Sequence, residues 1–418
     1  MSSLIRNVAL GLAGTALLCV GTLGSVPAAN AEEPLVVGVI APRAHIDGRS
    51  IFQGAEMAVE EINAAGGVNG RMIKLKEYDD HASTTDGVRA FQRAVNQDGA
   101  IAVVGNFTSE VAMALQPWSA RLKEPYIITG AATTKLGMKV HENYDQYKYE
   151  FRVNLNSAFL AKSVCAASKD ILVGKLGYKT AVVMSEDAAW TKPLDEEYLD
   201  CLPKAGLKVV DHIRFSPDTT DFSPVFSRIR DKKPDVIITG IAHVGVKPTV
   251  QWHQRQVHAL LAGWSSQAGS TSFWKDTNGA TQGVITGNLG APTAAITDQT
   301  IPFAKKYISK FNEAPTYNAY TTYDAMHILQ NAINRANGST DAEKLVDALE
   351  KTDYTGTVGR EVFYGKDSIY AHDLKYGKEY VPGIALQWQN GKQEVLWPEN
   401  AATADVVVPD FVKQGWGG

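Results

Sequence analysis

Residues 35–78, LVVGVIAPRAHIDGRSIFQGAEMAVEEINAAGGVNGRMIKLKEY, decide the fold class. LVVGVI at 35–40 is apolar on both faces, as in a strand buried within a parallel sheet. Ile51, Phe52, Ala55, Ala58, Val59 and Ile62 recur at the spacing of one helical face. MIKLKEY at 72–78 reads as a second strand. Between helix and strand stand Gly66, Gly67 and Gly70. A phosphate cradle places its glycines between a strand and the start of a helix, where backbone N–H groups converge. Here they follow the helix. Gly66 or Gly67 therefore closes it in the left-handed conformation, and Gly70 turns the chain into the next strand.

This strand–helix–strand unit repeats outward. AIAVVG (100–105) and PYIITG (125–130) are further strands, separated by helices whose inner faces carry Val88, Phe91 and Val95, then Val111, Leu115, Trp118 and Leu122. After YEFRVN (149–154) the rhythm restarts: a helix over 157–176, the strand TAVVMS (180–185), a helix over 193–204, the strand LKVVDHIRF (207–215), and the helix–strand run DFSPVFSRIRDKKPDVIITG (221–240). A helix over 246–257 leads to HALLAGW. Two successive doubly wound α/β units follow, each a parallel sheet covered by helices on both faces. A third block of helices and the hairpin IALQWQNGKQEVLW, turning at Asn390-Gly391, must join those sheets.

The 418-residue chain carries a formal charge of −4, with 21% charged and 44% hydrophobic residues. That balance is ordinary for a globular protein with an ample core. It gives no electrostatic footprint for nucleic acid or a membrane surface. The N-terminus differs: Arg6 is the only charge in 1–31, an apolar run covers 8–20, and Ala29-Asn30-Ala31 has the small-x-small pattern of a cleavage site. This is read as a signal peptide cut after Ala31, which sends the mature chain to the periplasm. Cys165 and Cys201 survive cleavage. In an oxidising compartment the even pair is a disulfide candidate, the alternative being two separate buried thiols.

Catalytic and metal constellations are not found. His243, His253 and His258 lack the i, i+4 spacing of a helical zinc site, and no G-x-S-x-G elbow or Walker loop occurs. No enzyme activity, metal or cofactor is therefore expected. What recurs instead are small hydroxyl- and glycine-bearing turns at the carboxyl ends of strands: GNFTSE (105–110), TGAATT (129–134), SEDAAW (185–190), GIAHVG (240–245) and GWSSQAG (263–269). Open α/β sheets hold ligands just beyond those ends. Two such edges facing each other describe a cleft that closes on a small molecule. Thr108 and Ser109 begin a helix there, either as its cap or as donors to a carboxylate.

LVVGVIAP, GAEMAVEEINAAGGVNG, YDD, AVVGNFTSEVA, ITGAATT and TDFSPVFSRIRDKKPDVIITG together resemble the periplasmic substrate-binding proteins of branched-chain amino-acid type ABC transporters. The resemblance implies two lobes joined by three crossovers around a central cleft. One lobe takes 34–154 plus 290–379, the other 155–289 plus 380–418. It also implies a monomer that delivers its solute to permease subunits at the inner membrane. The positions that hold the ligand carboxylate in that family match Thr108, Ser109, Ala131, Ala132 and Thr133, and the covering aromatic matches Trp190. The acids that meet the amine fall on Asn156 and Ser265, so both are missing, although Glu186 or Asp187 could take their place. A family tyrosine falls near Ala242, beside His243. An ammonium enclosed without a paired carboxylate costs several kcal/mol. Phe107, Trp190, His243 and Trp264 suggest a ligand that stacks on rings, and Arg43 with the hydroxyls suggests a carboxylate. The expected ligand is thus a carboxylate without an amine, an aromatic acid of benzoate or hydroxycinnamate type. The alternatives are a branched-chain or other neutral amino acid or amide, and, in another class, a periplasmic sensor domain.

Overall fold

The computed structural model describes residues 33–417. The expected leader peptide and its cleavage after Ala31 lie outside the described residues. The first part of the chain runs β1 (Leu35–Ala41), α1 (Ile46–Ala64), β2 (Ile73–Asp79), α2 (Thr84–Asn96), β3 (Ala102–Gly105), α3 (Ser109–Leu122), β4 (Tyr126–Ile128), α4 (Lys135–Glu142), α5 (Tyr144–Tyr147) and β5 (Glu150–Arg152). Its five strands pair in parallel in the order β2-β1-β3-β4-β5. The second part runs α6 (Ser157–Ser168), β6 (Thr180–Glu186), α7 (Thr191–Ala205), β7 (Lys208–Phe215), α8 (Ser223–Lys232), β8 (Val236–Ile241), α9 (Val246–Gln254), β9 (Leu260–Ser265), α10 (Phe273–Asp276) and β10 (Ile285–Asn288). Here β7-β6-β8-β9 form a second parallel sheet.

The last part is shared. α11 (Thr300–Phe311), α12 (Tyr317–Arg335), α13 (Ala342–Leu349) and the short pair β11 (Asp353–Thr355) and β12 (Arg360–Val362) return to the first lobe, where α12 packs along α1. β13 (Ile384–Gln389) and β14 (Lys392–Trp397) cross back: β13 pairs antiparallel with β10, and β14 antiparallel with β13. The chain ends in α14 (Asp410–Lys413), whose Phe411 packs on Trp252 of α9. The two doubly wound sheets expected from the alternating strands and helices are therefore both present, with the third block divided between them. The 157–176 helix is α6 followed by one π-helical stretch over 169–175.

Glycine explains two local features. A Cβ on Gly54 would lie 2.5 Å from the Ala319 carbonyl oxygen, so its absence lets α1 and α12 approach closely. At the end of α1, Gly67 N–H donates to the Ile62 carbonyl and Gly66, Gly67 and Gly70 all have positive φ. Val68 and Arg71 then bridge as a tight turn into β2. The cluster is a helix stop and a turn.

Residues 135–150 exceed the usual connection of the resembled family and read from sequence as a surface insertion first, with a lip over the cleft through Tyr144 or Tyr147 as the other reading. They pack against the outer part of the first lobe: Tyr144 bonds Glu350, Tyr149 bonds Glu343, and Lys139 sits 4.4 Å above the Tyr147 ring.

In the second lobe Cys165 of α6 and Cys201 of α7 are disulfide-bonded, with Cα atoms 6.0 Å apart and 36 residues between them in sequence. Closing a loop of that length restricts the unfolded chain by about 2–4 kcal/mol. Cys165→Ser/Cys201→Ser is expected to lose that much stability in urea unfolding, and wild type under reductant should match it. Coincident unfolding curves for oxidised and reduced wild type would contradict this.

Candidate functional site

The loops that leave the carboxyl ends of β3 and β4 in one lobe, and of β6, β8 and β9 in the other, face one another. They line a small cavity of about 20 Å³, walled by Phe107, Thr108, Ser109, Gly130, Ala132, Leu160, Trp190, Ala242, His243, Trp264, Ser266 and Tyr317. That is room for about one water molecule, so the two walls must part to admit an organic ligand. Each lobe contributes at the place where its strand order reverses, which is where an open sheet leaves a crevice. The lobes also touch directly: the Ala189 backbone N–H, in the β6–α7 loop, donates to Glu110 Oε1 of α3 at 2.8 Å.

The polar wall comes from the start of α3. Thr108 is its N-cap, yet its side chain caps nothing. The Thr108 hydroxyl is buried with no hydrogen-bond partner among the described residues. A cap hydroxyl normally satisfies a first-turn N–H. Leaving both free at a helix N-terminus that lines a cavity produces a site suited to an anion. Beside it, Ser109 Oγ accepts from the Ala132 and Thr133 N–H groups, both at 3.2 Å, so its own hydrogen remains to donate. The Thr133 hydroxyl is also buried and unpartnered among the described residues. The loop is fixed from behind: the Ala132 carbonyl accepts from Arg152 (3.1 Å) and from both the N–H and the hydroxyl of Ser157 (2.7 and 2.9 Å). Arg152 in turn lies 3.2 Å from Asp373, and both side chains are buried.

The opposite wall is aromatic and carries a charge pair. Glu186 at the end of β6 is fully buried. It accepts from Trp190 Nε1 (2.9 Å), from the His243 N–H (2.9 Å) and from His243 Nδ1 (2.6 Å). Burial opposes charge on both partners. Their mutual attraction outweighs it, so the His243 pKa is raised above 6.5 and the Glu186 pKa is lowered. The pair thus favours the imidazolium form of His243, and its Nε2 has no hydrogen-bond partner among the described residues. Its ring lies 5.7 Å from Phe107 and 6.4 Å from His45, and Trp264 meets Tyr317 edge-on at 5.9 Å.

Of the residues expected from sequence, Phe107, Thr108, Ser109, Ala132, Trp190, His243 and Trp264 lie together on the cavity. Ala131 and Thr133 flank it in the same loop without lining it. Three others are occupied elsewhere. Arg43 is half-exposed, bonds Glu77 at 2.7 Å and lies over the Phe52 ring at 4.3 Å. Asn156 is the N-cap of α6: it accepts from the Phe159 N–H and donates to Asp373 at 2.8 Å. Ser265 is turned into the second lobe, its N–H donating to Thr286 Oγ1 and its hydroxyl close to Gly245. Tyr317, Leu160, Ser266 and the acids Asp47 and Glu110 were not anticipated. Asp47 and Glu110 stand in the first turns of α1 and α3, where an acid reads only as a partner of the helix dipole.

The acids acting on His243 are Glu186, Glu110 and Asp47. Glu186 is spent on His243 and Trp190, and Glu110 on Ala189. Among the described residues no group of three or more His, Cys, Asp or Glu could hold a metal ion, and no helix is long and apolar enough to cross a membrane.

The family model for periplasmic binding proteins matches residues 34–377. The Leu/Ile/Val-binding protein BraC3 of Rhizobium johnstonii is 29% identical over 360 residues, 83% of this chain and 91% of that one. The branched-chain amino acid transporter substrate-binding protein LivJ of Streptococcus pneumoniae, solved with isoleucine, superposes with a TM-score of 0.74 at 21% identity, covering 87% of this chain and 100% of that one. A solute-binding protein of an ABC transporter from R. palustris, solved with benzoate, superposes with a TM-score of 0.73 at 17% identity, covering 91% and 99%. With two doubly wound lobes, a cleft between them and a family match over most of its length, this chain belongs to the periplasmic binding proteins.

Proposed function

We propose that this protein captures a small non-amino carboxylate with an aromatic ring and delivers it, unchanged, from the periplasm to the permease of an ABC importer. The observation that carries this reading is the buried, unpartnered Thr108 hydroxyl at the uncapped start of α3, set in a ring-lined cavity beside His243. A carboxylate would take the Thr108 and Ser109 hydroxyls and the α3 N-terminus. Phe107, Trp190 and Trp264 offer faces and edges to a flat ring, and His243 balances its negative charge. An ammonium would meet Glu186 and Glu110, both already engaged, and the cation on His243. The benzoate-bound neighbour has the same fold, which is compatible with such a ligand; the isoleucine-bound neighbour and the Leu/Ile/Val-binding relative support the competing amino-acid reading.

Binding couples to closure because the Thr108 and His243 walls belong to different lobes, so a ligand that touches both stabilises the closed arrangement. The lobes are taken as 34–154 plus 290–379 and 155–289 plus 380–418, hinged near 154, 289 and 380, in a monomer.

The test is calorimetry and thermal shift on the mature chain with benzoate, hydroxycinnamates, aliphatic acids, leucine, isoleucine and valine. An aromatic acid at a hundred times its Kd is expected to add about 2.7 kcal/mol to folding stability and to be recovered intact. Stabilisation by the branched-chain amino acids alone would overturn the reading. Chemical turnover of the ligand would overturn the binder function itself.

A further inference from the structure

One carboxyl near the cavity is incompletely partnered: the Thr316 hydroxyl acts on Asp47, yet neither Thr316 Oγ1 nor Asp47 Oδ1 completes a hydrogen bond among the described residues. Asp47, in the first turn of α1, is 2% exposed, and its Oδ1 has no hydrogen-bond partner among the described residues. Native folds rarely leave a buried carboxyl oxygen unpaired, because the lost solvation is not recovered. The surroundings show what it faces. His45, two residues earlier, packs on Phe107 at 6.1 Å and on His243 at 6.4 Å. The charge of Asp47 acts on His243 and on Tyr317, both of which line the cavity and belong to different lobes. Asp47 thus stands just behind the cavity wall, within electrostatic reach of His243 and Tyr317 and on a different helix from the α3 N-terminus.

We propose that Asp47 receives a hydroxyl carried on the ligand's ring, so that the substrate class is a hydroxylated aromatic acid. This rests on the aromatic-carboxylate reading above and narrows it. The carboxylate end takes Thr108 and Ser109, and the hydroxyl end takes Asp47. A hydroxyl suits the position better than an ammonium, because the nearby His243 cation would repel a second positive charge. Burial pushes the Asp47 carboxyl up to about 7, and either of its protonation states can bond a hydroxyl, which both donates and accepts. A site built to hydrogen-bond a ligand hydroxyl rejects the analogue that lacks it, because the buried polar group is then left unpaired.

The experiment is calorimetric titration of wild type, Asp47→Ala and Asp47→Asn with benzoate, 3-hydroxybenzoate, 4-hydroxybenzoate and 4-aminobenzoate. Circular dichroism monitors the fold. Wild type is expected to prefer one hydroxybenzoate over benzoate at least tenfold. Asp47→Ala should reduce that ratio to threefold or less, and Asp47→Asn, which keeps an acceptor oxygen, should fall between. The proposal is overturned if wild type binds benzoate and both hydroxybenzoates within threefold, if Asp47→Ala keeps the preference, or if 4-aminobenzoate outcompetes both hydroxybenzoates. It is overturned also if both variants fail to fold, since the carboxyl would then be structural. If wild type binds none of the four acids, the aromatic-carboxylate reading fails and this proposal falls with it. Binding without a hydroxyl preference sinks the Asp47 role alone.

Discussion

Arg152→Met is expected to destabilise the protein by about 3–5 kcal/mol at pH 7.5, the usual result of removing one partner from a buried ion pair. Arg152 and Asp373 are both buried and 3.2 Å apart. Without the guanidinium, Asp373 keeps the Asn156 amide and the weaker influence of His372. Burial already pushes its carboxyl above the ordinary range, against the lowering by Arg152, Asn156 and His372. In the variant it rises further. A carboxyl whose folded pKa is raised favours folding when protonated, and that stability is lost as pH rises through the folded value. The defect should therefore shrink at pH 5. Arg152→Met/Asp373→Asn should be less destabilised than Arg152→Met alone, because the orphaned charge is gone. Urea unfolding at the two pH values measures all three. Ligand affinity reports separately: the Ala132 carbonyl loses one of its three donors, and the loop that presents the Ala132 and Thr133 N–H groups to Ser109 loosens. A loss on the order of tenfold is expected for such a positioning defect. Equal stability of single variant and wild type would show that the pair contributes nothing.

The two sheets could be read from sequence because strands buried on both faces have no polar alternation to confuse them with surface, as LVVGVI and VIITG show. The hydroxyl-bearing wall of the cavity was visible for a similar reason. NFTSE and GAATT put small hydroxyls just past strand ends, where topology leaves a crevice. Individual side chains beyond that depended on partners far away in sequence. Arg43 looked free in its loop, but β2 runs beside β1 and places Glu77 within reach of it. Asn156 stood at the position of a family acid, yet the α6 that follows needs an N-cap, and Asn fills that role with Asp373 across from it. Asp47 showed nothing beyond an acid in a first turn. Its meaning depends on His45, Thr316 and Tyr317 converging around it, and no spacing in the chain announces that. The charge on His243 is equally non-local, since it comes from Glu186, 57 residues earlier.

His243→Phe separates the ring from the charge. Phenylalanine keeps an aromatic face toward Phe107 and His45 but leaves Glu186 buried with no cation. A loss of about 3–5 kcal/mol in stability is expected at pH 8, as for any buried pair broken on one side. In wild type the pair is most stabilising in a defined window. The lowered Glu186 pKa gives stability that is present above its unfolded value near 4.5 and fades as pH falls. The raised His243 pKa gives stability that is present below 6.5 and fades as pH rises through the folded value. His243→Phe should remove both edges. Glu186 then titrates upward, so the variant becomes relatively more stable on acidification, the reverse of the wild-type behaviour below pH 4.5. Affinity follows the same group. An anionic ligand in wild type should bind more weakly as pH rises past the His243 value, and His243→Phe should abolish that dependence while losing on the order of tenfold or more at pH 7, as expected for a desolvated charge contact. Calorimetric titration across pH 6–9 measures both. If His243→Phe binds an aromatic acid as tightly as wild type, with the same pH profile, then the ring alone matters and the imidazolium has no part in holding the carboxylate.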